Sequence, residues 1–303
     1  MPVVPPAYRG RFAPSPSGPL HFGSLIAAVG SYLQAKSQQG QWLVRMEDID
    51  SPRMQAGAAD GILRTLERYQ LLWDGEVWVQ SHRVERYQQV LELLKQQQLT
   101  YACNCTRSRI QNLPHGYDGF CLDKQLTEGQ LAWRLKAPAT ATVFTDQLAG
   151  DVHIPASLAA EDYILKRRDG LFAYQLVVVV DDLDQGITEV VRGADLIDLT
   201  TRQQALFQLL GAAPPDYLHL PLAVTEPGFK LSKQNHAPAV ENWPVSETLT
   251  AVLRFLGHPP PPEDRPHRLP LADPPLHRPA RRVPVRGTGR GARRGRALRR
   301  NAL

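Results

Sequence analysis

The stretch from Ala13 to Ser24 constrains this chain more than any other. Pro14, Pro16, Gly18 and Pro19 forbid regular structure, and apolar residues then recur at Phe22, Leu25, Ile26, Val29, Tyr32 and Leu33, the period of an amphipathic helix. The spacing predicts a loop that feeds a helix over residues 22–37. The start of such a helix carries unpaired N–H groups and the positive end of the dipole, and Gly18 and Gly23 let a ligand approach the backbone, so the place suits a phosphate. His21 stands at its entrance as a hydrogen-bond donor. By itself the string also fits any Pro/Gly loop before a helix.

Around it, strand-like and helix-like patterns alternate. A strand precedes the helix, another is expected over Trp42–Met46, and helices near 56–70 and 84–97 carry Ile62, Leu63 and Leu66 and then Tyr87, Val90, Leu91 and Leu94. Alternation of this kind implies an α/β fold with a parallel sheet covered on both faces. From about 100 to 165 the rhythm is lost, which reads as an insertion. Residues 163–180 read as a hairpin turned at Asp169-Gly170, whose second strand ends in the run Leu176–Val180 and is apolar enough to be central in the sheet. Asp181 and Asp182 would then lie beyond the carboxyl end of a central strand, where open α/β sheets bind ligands. A strand from Leu218 to Val224, a turn at Glu226-Pro227-Gly228 and a basic loop, Lys230-Leu231-Ser232-Lys233-Gln234, follow, and a helix is expected over Leu249–Leu256.

The three cysteines, Cys103, Cys105 and Cys121, fall within nineteen residues. An odd, clustered count without a signal peptide argues against a disulfide framework and suits a zinc site, which wants four ligands. Tyr117, His115, Asp118 and Asp123 are the local candidates for the fourth, and residue chemistry alone favours His115. The net charge of +5 comes from the C-terminal part: residues 258–303 hold twelve arginines, no lysine, three acidic residues and ten prolines, a local balance of +9 that leaves −4 for residues 1–257. That composition predicts a disordered tail, read either as a basic extension for RNA or as an out-of-frame end. No apolar stretch of transmembrane length or signal-peptide pattern occurs, so a cytoplasmic protein without membrane contact is expected.

Read together, the strings resemble a known family. His21-Phe22-Gly23-Ser24 and Lys230-Leu231-Ser232-Lys233-Gln234 are similar to the two signatures of class I aminoacyl-tRNA synthetases. The segments Arg11–Gly18, Arg45–Asp50 and Val190–Leu196 resemble the glutamyl/glutaminyl subgroup within that class. Ser24 stands where the wider class often has His, and Gln234 where it often has Ser. The resemblance implies a Rossmann-type nucleotide-binding catalytic domain in two halves, 1–100 and 166–257, interrupted by a zinc-binding insertion at 101–165 and followed by the tail at 258–303. It implies His21 and Lys233 as catalytic residues, with Gly23 and Lys230 beside them on ATP. For glutamate it implies Arg11 and Arg192 on the two carboxylates, Glu47 on the ammonium, and Ser15 and Tyr174 as hydrogen-bonding positions. One structural Zn²⁺ would be held by Cys103, Cys105, Tyr117 and Cys121, so that resemblance chooses Tyr117 where residue chemistry favours His115. Mg²⁺ is expected with ATP. About seventy residues follow Lys233, too few for the anticodon-binding domain of an ordinary glutamyl enzyme. The pattern is therefore most similar to the truncated glutamyl paralogues, which form glutamyl-adenylate and attach glutamate to queuosine at the wobble position of tRNA(Asp), with the anticodon stem-loop docked on the catalytic domain. A monomer is expected. Rival readings are an ordinary synthetase charging a 3′ end and a non-catalytic RNA-binding paralogue.

Overall fold

The computed structural model describes residues 7–113, 116–137, 141–226, 229–230 and 238–259. The expected tail lies almost wholly outside these residues, as do residues 231–237, which include Lys233 and Gln234, and His115.

Strand β1 (Arg9–Phe12) runs into the Pro/Gly loop and helix α1 (Phe22–Ser37), then β2 (Gln41–Met46), α2 (Ala58–Arg68), β3 (Trp78–Val79) and α3 (Val84–Gln96) follow. β1, β2 and β3 pair in parallel, in that order. Apart from the two-residue β3, which the sequence reading did not include, these are the strands and helices that the periodicity predicts, with α1 matching over its whole length. Its start is fixed locally: Nδ1 of His21 accepts from the Ser24 amide at 3.3 Å, and Ser24 Oγ accepts from the His21 amide at 2.8 Å. This reciprocal capping box is why Ser24 suits the position. Behind the helix, Trp42 is fully buried, stacked on Phe12 at 6.2 Å and edge-on to Tyr32 at 5.1 Å, with its indole N–H donated to Ser31.

The middle of the chain builds two further sheets. β4 (Thr100–Cys103), α4 (Arg107–Gln111), β5 (Ala132–Leu135), β6 (Val143–Asp146), β7 (Gly150–His153), α5 (Ala156–Ala159) and β8 (Tyr163–Lys166) succeed one another. β4, β5 and β8 make an antiparallel sheet and β6–β7 a separate hairpin. The chain then returns through α6 (Tyr174–Asp184), β9 (Glu189–Gly193), α7 (Thr200–Leu209) and β10 (Asp216–Leu220). β10 pairs with β9 in parallel, and the Thr188 amide donates to the Arg9 carbonyl at 2.9 Å, tying this pair to β1. Gly30 of α1 faces Leu220 so closely that a Cβ there would stand 2.6 Å from its Cδ1. The short β11 (Val224–Glu226) and β12 (Phe229–Lys230) pair antiparallel, and α8 (Val245–Phe255) returns to α1, where Phe255 meets Phe22 edge-on at 6.4 Å.

One expectation fails outright. The run Leu176–Val180 is helical: it belongs to α6, so there is no second strand to the expected hairpin. The cause is burial. Leu176, Val177, Val178, Val179 and Val180 are all buried, and an element apolar on every side shows neither the two-residue nor the 3.6-residue period, so β-branched composition pointed to the wrong one. Asp181 and Asp182 accordingly sit on the last turns of a buried helix and not beyond the end of a strand. No helix among the described residues is long and apolar enough to cross a membrane.

Candidate functional site

Of the residues singled out for glutamate, Arg11 reaches the carboxylates of α6 directly and Glu47 through Arg45. Arg11 leaves β1 buried and grips Asp182 with two nitrogens, Nε to Oδ1 at 3.0 Å and Nη2 to Oδ2 at 3.4 Å, while Nη1 donates to the Val191 carbonyl at 3.4 Å. Arg45 of β2, wholly buried, lies 2.8 Å from Asp182 and 3.4 Å from Glu47, and donates to Gln185 at 2.6 Å. Asp181 is satisfied from the other side by Gln80 at 2.9 Å, the Tyr87 hydroxyl at 2.9 Å and Arg83 at 2.7 Å. Burial alone would raise the Asp182 carboxyl, but Arg11 and Arg45 outweigh it and hold the group below the usual carboxylate range. Glu47 goes the other way. Burial pushes it up to about 7 against the pull of Arg45 and Arg11, with Asp182 and Asp181 adding to the rise. It follows the end of β2, held by its amide to the Pro14 carbonyl at 2.9 Å.

Tyr174, the first residue of α6, shares this neighbourhood: its phenol is raised by burial and feels Arg192, Glu47, Arg11 and Asp182. Arg192 emerges from β9, buried, and makes four contacts, with His219 Nε2 at 3.0 Å, Gln203 Oε1 at 2.6 Å, Thr200 Oγ1 at 2.9 Å and the Leu196 carbonyl at 3.2 Å. A guanidinium has five N–H bonds. A two-pronged grip on a substrate carboxylate would therefore displace one of these partners. Ser15 lies exposed in the Pro/Gly loop. Arg45, Asp182 and His219 were not assigned as site residues from sequence, although charged or polar residues inside otherwise apolar strands and helices are a signal of buried pairing.

Beside this cluster, a cavity of about 180 Å³ is lined by His21, Gly23, Ser24, Gly193, Asp195 and Leu220 among others. The capping contact decides the chemistry of His21. Because Nδ1 accepts an amide, the neutral ring carries its proton on Nε2, a donor next to the helix N-terminus. Lys230 is placed only as backbone in β12, and Lys233 is outside the described residues.

The Sγ atoms of Cys103, Cys105 and Cys121 lie within 4.8 Å of one another, with Cys105 and Cys121 3.5 Å apart. A tetrahedral ion with Zn–S bonds of roughly 2.3 Å needs its sulfurs about 3.8 Å apart, so the three thiols fit a metal. The Tyr117 hydroxyl is 3.6 Å from Cys103 Sγ and accepts from the Cys121 amide at 2.9 Å, whereas Asp118 is paired with Arg109 at 2.6 Å. Arg134 donates to Cys103 Sγ at 3.3 Å. Burial raises this thiol, but the Arg134 contact and further hydrogen bonds prevail and bring it down to about 7.

A family model described as the catalytic domain of class I tRNA synthetases (E and Q) matches residues 7–260. The chain belongs to this family. It is 60% identical over 252 residues to a glutamyl-Q tRNA(Asp) synthetase from Serratia proteamaculans (strain 568), covering 83% of each. To the glutamyl-Q tRNA(Asp) synthetase of Escherichia coli (strain K12) it is 57% identical over 250 residues, 82% of this chain and 81% of that one. The solved glutamate tRNA ligase from Elizabethkingia meningosepticum CCUG26117, in complex with its amino acid, superposes with a TM-score of 0.67 at 25% identity, over 78% of this chain and 53% of that one. The glutamate-tRNA synthetase of Elizabethkingia anophelis gives 0.66 at 26%, over 75% and 53%. This chain thus spans about half the length of those two synthetases. The synthetase fold is the mixed α/β fold described above, and the chain is an aminoacyl-tRNA synthetase-like ligase.

Proposed function

We propose that this synthetase activates L-glutamate with ATP, as its Mg²⁺ complex, and transfers the glutamyl group to the queuosine base at the wobble position of tRNA(Asp). The observation that carries the reading is that Arg11 lies on Asp182 and Glu47 on Arg45, with Tyr174 in electrostatic reach of Arg11, Glu47 and Arg192, next to a capped helix N-terminus with a cavity in front of it. Two arginines and one carboxylate match the two carboxylates and the ammonium of glutamate, with Ser15 and Tyr174 as hydrogen-bonding partners. Attack of the α-carboxylate on the α-phosphate forms glutamyl-adenylate and breaks the bond to the β-phosphate, and His21, Gly23 of the helix start, Lys230 and Lys233 stabilise charge on the triphosphate as pyrophosphate departs.

The test is ATP–pyrophosphate exchange with each amino acid in turn. Glutamate alone should support it, and Lys233→Ala should lower the rate about 100-fold or more, since one contact to a developing oxyanion is worth roughly 2.7–4 kcal/mol. Undiminished exchange in that variant would remove Lys233 from the mechanism. Because Glu47 must be ionised to hold an ammonium and its carboxyl stands at about 7, kcat/KM for glutamate should rise with pH through that value. Glu47→Gln should raise the glutamate KM and flatten the profile; an unchanged profile would dissociate Glu47 from the ammonium.

For the cysteine cluster the proposal is one structural Zn²⁺ held by Cys103, Cys105, Cys121 and Tyr117. It would pin the irregular segment after β4 and leave no position open for catalysis. Isolated protein should contain about one zinc per chain, and Cys103→Ser should lose it together with thermal stability. Metal-free protein with an unaltered melting temperature would refute the site. Tyr117→Phe asks whether the phenol oxygen is the fourth ligand, and full zinc retention would return the assignment to His115 or water.

A further inference from the structure

Arg192 is aimed by a chain of buried polar groups that begins in the β6–β7 hairpin. His219 of β10 accepts from Arg192 Nε on its Nε2 at 3.0 Å. An arginine only donates, so Nε2 holds no proton, and the ring proton sits on Nδ1, 2.7 Å from Asp146 Oδ2. Asp146 is in turn saturated. Its Oδ2 also accepts the His219 amide at 3.0 Å, and its Oδ1 accepts the amides of Leu148 at 3.0 Å and Ala149 at 2.9 Å. Both side chains are fully buried, at 0% exposure. The imidazole is also held flat against Tyr217, 6.0 Å between centroids and 4° between planes, and edge-on to Phe144 at 6.1 Å.

We infer that Asp146 and His219 are positioning residues that fix the guanidinium of Arg192 for glutamate, so that the β6–β7 hairpin helps set affinity at a site it does not line. The inference rests on the reading of Arg192 as a glutamate ligand. Desolvating an Asp–His pair beside an arginine is costly, and an apolar side chain of similar size would fill the space with less penalty. What the pair adds is direction. His219 presents a lone pair to one edge of the guanidinium while Gln203 and Thr200 take the others, so the plane of Arg192 is set from three sides. The groups facing His219 are Asp146 from β6, Arg192 from β9, Asp195 after it, Thr200 from α7 at 3.3 Å, and the Tyr217 ring. A proton added at Nε2 would point one donor at another.

Three variants and one spectrum test this. His219→Gln keeps an oxygen acceptor about where Nε2 stood. His219→Asn keeps a polar group near Asp146 but withdraws the acceptor from Arg192. In pyrophosphate exchange the Asn variant should raise the glutamate KM about 10- to 100-fold, the worth of one charge-assisted hydrogen bond, with the ATP KM and kcat little changed. The Gln variant should stay within about threefold of the parent. Equal KM values in Asn, Gln and parent proteins would overturn the positioning role. Arg192→Ala separates the two layers of argument: an unmoved KM there would fail the reading of Arg192 itself. A raised KM there with a normal His219→Asn enzyme fails only the inference. Should the variants not fold, nitrogen NMR of the unaltered protein decides, since His219 must be a neutral ring protonated on Nδ1. A ring protonated on Nε2 would refute the contact.

Discussion

Asp182→Ala will lower the unfolding free energy by about 3–5 kcal/mol, the usual cost of removing one partner from a buried ion pair. The magnitude follows from what is left behind. Arg11 and Arg45 are 3% and 0% exposed and both lie on Asp182. Without it Arg45 retains Asp181 at 3.6 Å and Glu47 at 3.4 Å, but Arg11 is left with the Val191 carbonyl as its acceptor among the described residues. Urea denaturation measures the loss, and a change under about 1 kcal/mol would mean that the arginines find replacement partners. The sign with pH is fixed too. Asp182 titrates lower in the folded protein than its unfolded value of roughly 3.9, so its contribution is full above that pH and is lost as the pH falls through the depressed folded value. The gap between parent and variant should therefore close in acid. Glutamate binding should weaken in the same variant, because Arg11 loses the carboxylate that orients it.

That network also shows where the sequence stops being informative. α1, α2 and α3 bury one face each, so their period survives in the residues and their positions are legible to within a few residues. α6 buries nearly everything, and the period vanishes with the exposed face; four consecutive valines then read as a strand. The partners of Arg11 illustrate a second limit. Arg11 and Asp182 are 171 positions apart, and no local rule couples them, whereas the cap made by His21 and Ser24 closes within three residues. Glu47, Arg192 and Tyr174 were legible only through resemblance. The buried His219 inside a strand was visible as a polar residue in an apolar segment, yet its bond to Arg192 needs the parallel register of β9 and β10, which sets the two side by side. The cysteine spacing, by contrast, carried the cluster, because all three thiols fall within nineteen residues.

The second large effect concerns the acceptor. Relatives 57–60% identical over more than four-fifths of this chain bear the name glutamyl-Q tRNA(Asp) synthetase, and the likeness to glutamate tRNA ligases covers only 53% of those chains. The family model matched over residues 7–260 is that of the catalytic domain, and on the reading proposed above the anticodon stem-loop docks on that domain itself. A minihelix comprising only the queuosine-bearing anticodon stem-loop of tRNA(Asp) should therefore be glutamylated nearly as well as the whole tRNA. The same RNA with guanine in place of queuosine should accept no glutamate, since it lacks the reacting group altogether. Exchange of pyrophosphate should proceed with either RNA or none, which separates a failure of transfer from a failure of activation. Removing residues 265–300 should leave that exchange unchanged and at most weaken RNA binding, with a steeper loss at low salt, because twelve arginines beyond Gly257 act on phosphates through counterion release. Efficient charging of tRNA(Glu) at its 3′ end, with the stem-loop inert, would overturn the queuosine acceptor while leaving glutamate activation intact.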